Sequence, residues 1–143
     1  MKNEMDSFFL SHLKGFIESF VAKEKVARYL LLVENQKGRD KIFKRLPHFY
    51  EMLRRDRMNT IPKNIKNPFS VNDIVNYFSS FGAKECVIFR YDGIFYKKNI
   101  LQEKLCEDSL FFMGIVSSVP GELALYLAED FRESVVLSVA QRR

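Results

Sequence analysis

Residues 85–98 read ECVIFRYDGIFYKK, and this stretch decides the class of the fold. Two runs rich in aliphatic and aromatic residues flank Asp92-Gly93, the dipeptide that best fits the positive φ angles of a tight hairpin turn. The stretch therefore predicts two antiparallel strands joined by a short turn.

The chain after this hairpin predicts further strands. Residues 110–130, LFFMGIVSSVPGELALYLAED, hold two apolar runs joined at Pro120-Gly121, where proline sets the first central dihedral of a type II turn and glycine suits the second. Residues 133–140, ESVVLSVA, add a last strand. A short helix is predicted through residues 99–109, NILQEKLCEDS.

The N-terminal part has the three-and-four spacing of amphipathic helices instead. The first predicted helix is capped by Asp6 or Ser7 and has an apolar side made of Phe9, Leu13, Phe16, Ile17 and Phe20. The second lies within residues 22–38, and its apolar side is made of Val26, Tyr29, Leu30 and Val33. Gly38 is predicted to end this second helix.

A basic stretch follows at residues 37–57, KGRDKIFKRLPHFYEMLRRDR. It holds eight lysines and arginines against three acids, so its surplus of five equals the net charge of +5 of the whole chain. Its apolar residues Ile42, Leu46, Phe49 and Leu53 follow the helical period. Pro47 interrupts the pattern, which predicts a kink or two short helices, the second with Pro47 in its first turn.

The chain of 143 residues is long enough to bury a core as one domain, residues 1–143. We divide it into a helical part at 1–58, a proline-containing connector at 59–69, and a helix plus sheet part at 70–143. Ser70 and Asp73 are predicted to cap the helix that opens this last part. The order predicts an α+β fold in which N-terminal helices precede a mainly antiparallel sheet of four to five strands with one or two packed helices.

The sequence lacks the patterns that would indicate an enzyme or a cofactor. It has neither a glycine-rich phosphate loop, nor the G-x-S-x-G turn of hydrolases, nor a metal-binding spacing of Cys and His. We therefore predict no catalytic, cofactor-binding or metal-ligating residue. Cys86 and Cys106 are interpreted as buried reduced thiols, and His12 and His48 have no motif partner.

Charged residues interrupt every apolar run, so neither a membrane span nor a signal peptide is predicted, and we expect a soluble cytoplasmic protein.

Two hypotheses account for the basic stretch. In the first, its cations bind nucleic acid by neutralising phosphates; the candidate residues are Lys41, Lys44, Arg45, Arg54, Arg55 and Arg57. In the second, which we favour, Phe49 and Leu53 point into the interior and the cations are the solvated side of a helix. The acids Asp40 and Glu51, spaced four residues before Lys44 and Arg55, support the second hypothesis.

The function predicted from these features is that of a small non-enzymatic interaction or regulatory protein, with nucleic-acid binding through residues 37–57 as the alternative. Its fourteen Phe and six Tyr exceed what a core of this size demands, and surplus aromatic residues are typical of protein interfaces. The expected partner is another protein or a second copy of the chain. No cofactor is expected.

Three segments resemble parts of small bacterial proteins of uncharacterised function. They are KGRDKIFKRLPHF at residues 37–49, SFGAKECVIF at residues 80–89 and GIVSSVPGELALYLAED at residues 114–130. The resemblance runs over about residues 20 to 130. It implies a bacterial origin and a recurrent fold, and it assigns no functional residue.

Overall fold

The structure, a computed structural model, describes residues 7–59, 79, 84–99, 114–127 and 135–139. Within these ranges the chain forms helices first and an antiparallel sheet afterwards, which confirms the α+β class. The helix predicted from Ser70 lies outside the described residues apart from Ser79, which is helical. Of the helix predicted through residues 99–109, only Asn99 is described, and it ends a strand.

Three α-helices lie in the N-terminal part: α1 (Ser7–Phe20), α2 (Lys23–Leu32) and α3 (Gln36–Arg45). The predicted apolar sides of α1 and α2 face the core, and their fully buried members are Leu13, Phe16, Ile17, Phe20, Tyr29 and Val33. The remaining three, Phe9, Val26 and Leu30, are partly buried against the same cluster. The three-and-four spacing thus locates the inner face of both helices correctly.

Gly38 lies inside α3, so the prediction that it ends α2 is wrong. The second helix ends at Leu32, and Asn35 caps α3 by accepting the Gly38 N–H on its side-chain oxygen at 2.8 Å. A Cβ at position 38 would lie only 1.9 Å from the Leu32 carbonyl oxygen. Glycine is therefore required here because the two helices pack in direct backbone contact.

The chain leaves α-helical geometry just before Pro47, as predicted. It continues through three 3-10 turns, Leu46–His48, Tyr50–Met52 and Arg55–Arg57, in place of a second α-helix. Phe49 is 1% exposed and Leu53 is 4% exposed, which confirms that the apolar side of the basic stretch points into the interior. The last part of this segment also pairs with the end of α1, since Arg54 N–H donates to the Phe20 carbonyl at 2.7 Å.

The described sheet has six strands: β1 (Met58–Asn59), β2 (Glu85–Arg90), β3 (Phe95–Asn99), β4 (Gly114–Val119), β5 (Leu123–Leu127) and β6 (Val135–Ser138). Their spatial order is β1-β6-β5-β4-β2-β3, with every neighbouring pair antiparallel. Five strands lie in the predicted runs. The sixth, β1, is a two-residue strand that places Met58 opposite Leu137 on β6.

Both predicted hairpins form. The β4–β5 turn has Gly121 at φ 73°, and Glu122 N–H donates to the Val119 carbonyl at 2.8 Å, as a type II turn requires. The β2–β3 turn differs from the expectation of positive φ angles at both Asp92 and Gly93, because Gly93 has φ 86° while Asp92 keeps a negative φ. This hairpin therefore uses a three-residue loop, a type I turn followed by a left-handed glycine.

The three helices pack on one face of the sheet, against a set of alternating strand residues formed by Val87, Phe89, Ile115, Ala124, Tyr126 and Leu137. The residues between them along the strands, including Cys86, Ile88, Val116, Leu125 and Val136, are buried as well. Both faces of the sheet are thus inside the protein. This explains why the strands read as continuous apolar runs such as CVIF and LALYL rather than as alternating patterns.

Candidate functional site

The structure separates the six candidate cations of the basic stretch into two groups. Lys41, Lys44 and Arg45 lie on α3, whereas Arg54, Arg55 and Arg57 lie at or within the last 3-10 turn. Pro47 and the buried Phe49 lie between the two groups in the chain, so the six cations do not belong to one continuous helix. Each group has its own electrostatic surroundings.

The second group is largely engaged within the protein. Arg54 makes two hydrogen bonds to the Asp56 carboxylate, at 3.1 and 2.8 Å, and this contact lowers the pKa of Asp56 and raises that of Arg54. Arg57 Nη1 donates to the Ser19 carbonyl at 3.1 Å, near the end of α1. Arg55 is exposed, but it borders an open groove of ≈ 460 Å³ that is also lined by Glu24, Glu51 and Asp56. The surroundings of this group are therefore of mixed charge.

The first group belongs to a row of cations on α3, which we call the α3 stripe: Lys37, Lys41, Lys44 and Arg45. Positions 37, 41 and 45 are four residues apart and position 44 lies beside them, so all four project from one side of the helix. All four residues are exposed. In the described ranges no carboxylate pairs with the three lysines, while Arg45 Nη1 donates to Tyr29 Oη at 3.1 Å.

The predicted support of α3 by Asp40 and Lys44 does not form. Asp40 instead accepts a hydrogen bond from Gln36 Nε2 at 2.9 Å, toward the start of the helix. The prediction that Glu51 supports Arg55 at helical spacing is also wrong, because these residues lie in 3-10 turns and not in an α-helix.

The members of the α3 stripe have opposing effects on the stability of their own helix. Like charges four residues apart on a helix each cost about 0.2–0.5 kcal/mol, and the stripe contains two such pairs, Lys37–Lys41 and Lys41–Arg45. Lys37 also places a positive charge in the first turn, where the helix dipole disfavours it and where α3 has no acid. The helix is held instead by the Asn35 cap and by the burial of Ile42 and Phe43. Lys44 and Arg45 lie in the last turn, where the helix dipole favours positive charge, so helix stability accounts for these two cations but not for Lys37 and Lys41.

A second polar feature lies inside the protein. His12 of α1 and Ser117 of β4 form a hydrogen bond of 2.7 Å between Nδ1 and Oγ, and their residues are 3% and 1% exposed. Burial lowers the pKa of His12, while the negative charge of Glu85 raises it in part. Glu85 Oε1 itself is shielded from water and lies 3.0 Å from Lys97 Nζ, within ion-pair distance but outside hydrogen-bond geometry.

A serine hydroxyl bonded to an imidazole is the pairing used for nucleophilic catalysis, but here it joins two packed elements. Ser117 Oγ and His12 lie between α1 and the sheet, in the same layer as Val87 and Leu13. The pair satisfies two buried polar groups and fixes α1 over β4. Sequence analysis missed it because the residues are 105 positions apart and share no local motif.

The other candidate reactive groups fit the sequence interpretation where they are described. Cys86 is 0% exposed, which confirms its predicted burial, and Cys106 lies outside the described residues. His48 is exposed beside Pro47. Among the residues that the structure describes, no three His, Cys, Asp or Glu side chains gather closely enough to hold a metal ion.

None of the described helices is both long enough and apolar enough to cross a membrane. Comparisons of the chain with protein-family models, with curated proteins and with solved structures found no match. Function must therefore be inferred from the geometry described above.

Proposed function

We propose that this protein is a small non-enzymatic interaction or regulatory protein that acts by binding a protein partner. The observation that carries the proposal is the contrast between its buried reactive groups and its exposed charge. His12, Ser117 and Cys86 are enclosed and serve packing, whereas the α3 stripe is exposed and two of its cations, Lys37 and Lys41, are unfavourable for the helix. Proteins commonly keep such locally unfavourable features where function requires them. We place the protein in the cytoplasm as part of the same proposal.

Only the exposed aromatic residues support this proposal, and most of the described ones are buried or partly buried. Phe16, Phe20, Phe43, Phe49 and Phe89 are all buried, so many of the aromatic side chains fill the core. Large exposed apolar side chains occur at the β2–β3 hairpin, where Tyr91 is 40% exposed and Ile94 is 45% exposed. Aromatic residues are enriched at protein interfaces, so the exposed Tyr91 supports the proposal.

Site-specific photo-crosslinking in the cell of origin tests the proposal. A photoreactive amino acid is introduced at Lys41 on α3, at Tyr91 in the hairpin and, in separate variants, at the exposed positions Glu18 and Arg55. We expect one discrete adduct from at least one position, and mass spectrometry identifies it. An adduct of twice the 16.9 kDa chain mass identifies a second copy as the partner. The absence of a discrete adduct from all four positions contradicts the proposal.

Nucleic-acid binding is the second candidate function, and the exposed α3 stripe is the observation that favours it. Three of the six candidate cations, Lys41, Lys44 and Arg45, belong to the stripe, and Arg55 is exposed elsewhere. Since Arg54 and Arg57 bind groups of the protein itself, they are the weaker candidates. A phosphate contact by each stripe residue would make the affinity fall as salt rises.

Fluorescence anisotropy with labelled duplex DNA and single-stranded RNA tests this candidate at 50 and 200 mM salt. If phosphates bind the stripe, Lys41→Glu combined with Lys44→Glu abolishes binding, whereas Arg54→Glu combined with Arg57→Glu reduces it less. Both double variants change the net charge by the same amount, so the comparison isolates the surface from the total charge. Absence of binding at the lower salt concentration eliminates the candidate.

A further inference from the structure

We infer that the α3 stripe is the docking surface for an acidic helical segment of a protein partner. This inference rests on the proposed function, and it adds the surface and the chemical class of what binds there. The charge complementarity comes from Lys37, Lys41, Lys44 and Arg45, which are exposed and positive. The partner segment is expected to carry glutamates or aspartates on one side.

The spacing of the stripe fits a helix better than an extended chain. Four residues advance an α-helix by about 6 Å, so positions 37, 41 and 45 repeat at about that distance along α3. A partner helix with acids at every fourth residue repeats its carboxylates at the same interval when it lies alongside. The repeat of an extended strand, about 6.6 Å, differs by only about 1.2 Å over the two intervals, but an i, i+4 row is also a ridge along which α-helices pack, and this favours a helix.

The neighbourhood of the stripe favours a protein over a nucleic acid. Single-stranded nucleic acids stack on exposed aromatic rings, but Phe43 and Phe49 of the basic segment are each 1% exposed, and the exposed ring beside the stripe, Tyr91, is followed by the carboxylate of Asp92. The stripe also borders a groove of ≈ 220 Å³ lined by Asp40, Phe43, Lys44, Tyr91, Asp92 and Gly93. A continuous phosphate backbone over this edge would meet both carboxylates of the groove, whereas separate acidic side chains can be placed away from them.

The same groove gives the partner a second contact. Tyr91 is exposed on its wall, and the edge of the groove is formed by Lys44 of the stripe. A protein interface combines an apolar or aromatic contact with a charged rim, and these two residues provide that combination within one depression. We therefore expect the segment to place an apolar side chain in the groove next to its acids.

Three labelled probes test the inference by fluorescence anisotropy at 50 mM salt. The first is a synthetic 21-residue helical peptide of alanine, glutamine and glutamate with its glutamates at every fourth position on one side, and one leucine at its end. The second has the same composition with the glutamates distributed around the helix. The third is a 20-base-pair DNA duplex. The full chain is used throughout, so that the surface is tested as it exists.

The matched variants change the net charge equally. One replaces Lys37, Lys41 and Lys44 by glutamine, and the control replaces Lys23, Lys25 and Arg28 of α2 by glutamine. We expect the parent protein to bind the one-sided peptide more tightly than the scrambled peptide. The stripe variant should weaken this binding by about tenfold, because three exposed ion pairs are lost, and the α2 variant by less than about threefold.

Three results would overturn the inference. They are equal losses in the two variants, a preference for the duplex over the one-sided peptide, and no binding of the parent protein to the one-sided peptide. The proposed function is tested separately, by the crosslinking experiment, so the two can fail independently. A discrete adduct from Tyr91 or Arg55 together with any of these three results leaves the proposed function standing and removes only the inference about the stripe.

Discussion

Tyr126 on β5 holds the backbone of the turn that contains Pro47, although the two lie about 80 residues apart in the chain. Its hydroxyl accepts the Phe49 N–H at 2.8 Å and donates to the Leu46 carbonyl. The same two backbone groups also bond to each other across the 3-10 turn, since the Phe49 N–H donates to the Leu46 carbonyl at 3.3 Å. The side chain from the sheet thus reinforces the turn that follows α3.

Replacing Tyr126 with phenylalanine is therefore expected to lower the free energy of unfolding by about 2 kcal/mol, because the two buried hydrogen bonds of its hydroxyl are lost and only the 3.3 Å bond within the turn is left. Urea denaturation monitored by circular dichroism measures the change. Tyr29→Phe is the matched control: Tyr29 is also buried, but its hydroxyl contacts the exposed Arg45, and its loss should cost less than about 1 kcal/mol. Equal losses in the two variants would contradict this role of Tyr126.

Gly38→Ala should destabilise the protein even though alanine is the better helix former. In an open helix the change would stabilise by about 1 kcal/mol, but here the new Cβ would lie 1.9 Å from the Leu32 carbonyl oxygen. Separating α2 from α3 to remove this overlap is expected to cost about 2 kcal/mol or more in the free energy of unfolding. Lys37→Ala, at the exposed neighbouring position, should stay within about 0.5 kcal/mol. A stabilised Gly38→Ala protein would show that the helices are not in close contact.

The features that the sequence predicted correctly are those set by neighbouring residues. Asp92-Gly93 and Pro120-Gly121 locate both hairpins because turn geometry depends on a few adjacent dihedrals. Gly38 was misassigned because a glycine after an apolar run looks the same at a helix end and at a close helix contact. The strand β1 has only two residues and depends on pairing with β6, so no periodicity could indicate it.

The candidate site was predicted in part for the same reason. Exposure of the α3 cations follows from the helical period, which the sequence carries. The engagement of Arg57 by the Ser19 carbonyl, and of His12 by Ser117, depends on contacts between distant segments. Those contacts exist only after the helices pack on the sheet.

The buried His12 is expected to make stability depend on pH. Its pKa in the folded protein lies below the ordinary value of 6.5, chiefly because burial disfavours the charged form. The unfolded chain therefore binds more protons at this residue than the folded chain, so stability is full above about pH 6.5 and falls as pH decreases through the lowered pKa. Urea denaturation between pH 7.5 and 5 measures this decline.

His12→Gln should reduce that decline, because glutamine does not take up a proton in this range. Ser117→Ala is the control: it removes the hydrogen-bond partner and lowers stability at every pH, but it keeps the imidazole and hence the pH dependence. If the parent and His12→Gln proteins lose stability in parallel as the pH falls, His12 is not the group responsible.

Lys41→Glu is expected to raise the free energy of unfolding, although loss of this cation should weaken binding to the stripe. The change replaces the repulsion of Lys41 with Lys37 and Arg45 by two attractive pairs at the same spacing, which should add about 1 kcal/mol to the free energy of unfolding at low salt. The gain should largely vanish at 1 M salt, where screening acts over about 3 Å. Arg55→Glu, an equal change of charge at a groove lined by Glu24, Glu51 and Asp56, should instead lower stability by up to about 0.5 kcal/mol. A destabilised Lys41→Glu protein would mean that Lys41 supports the fold, and stability would then be sufficient to explain its presence on α3.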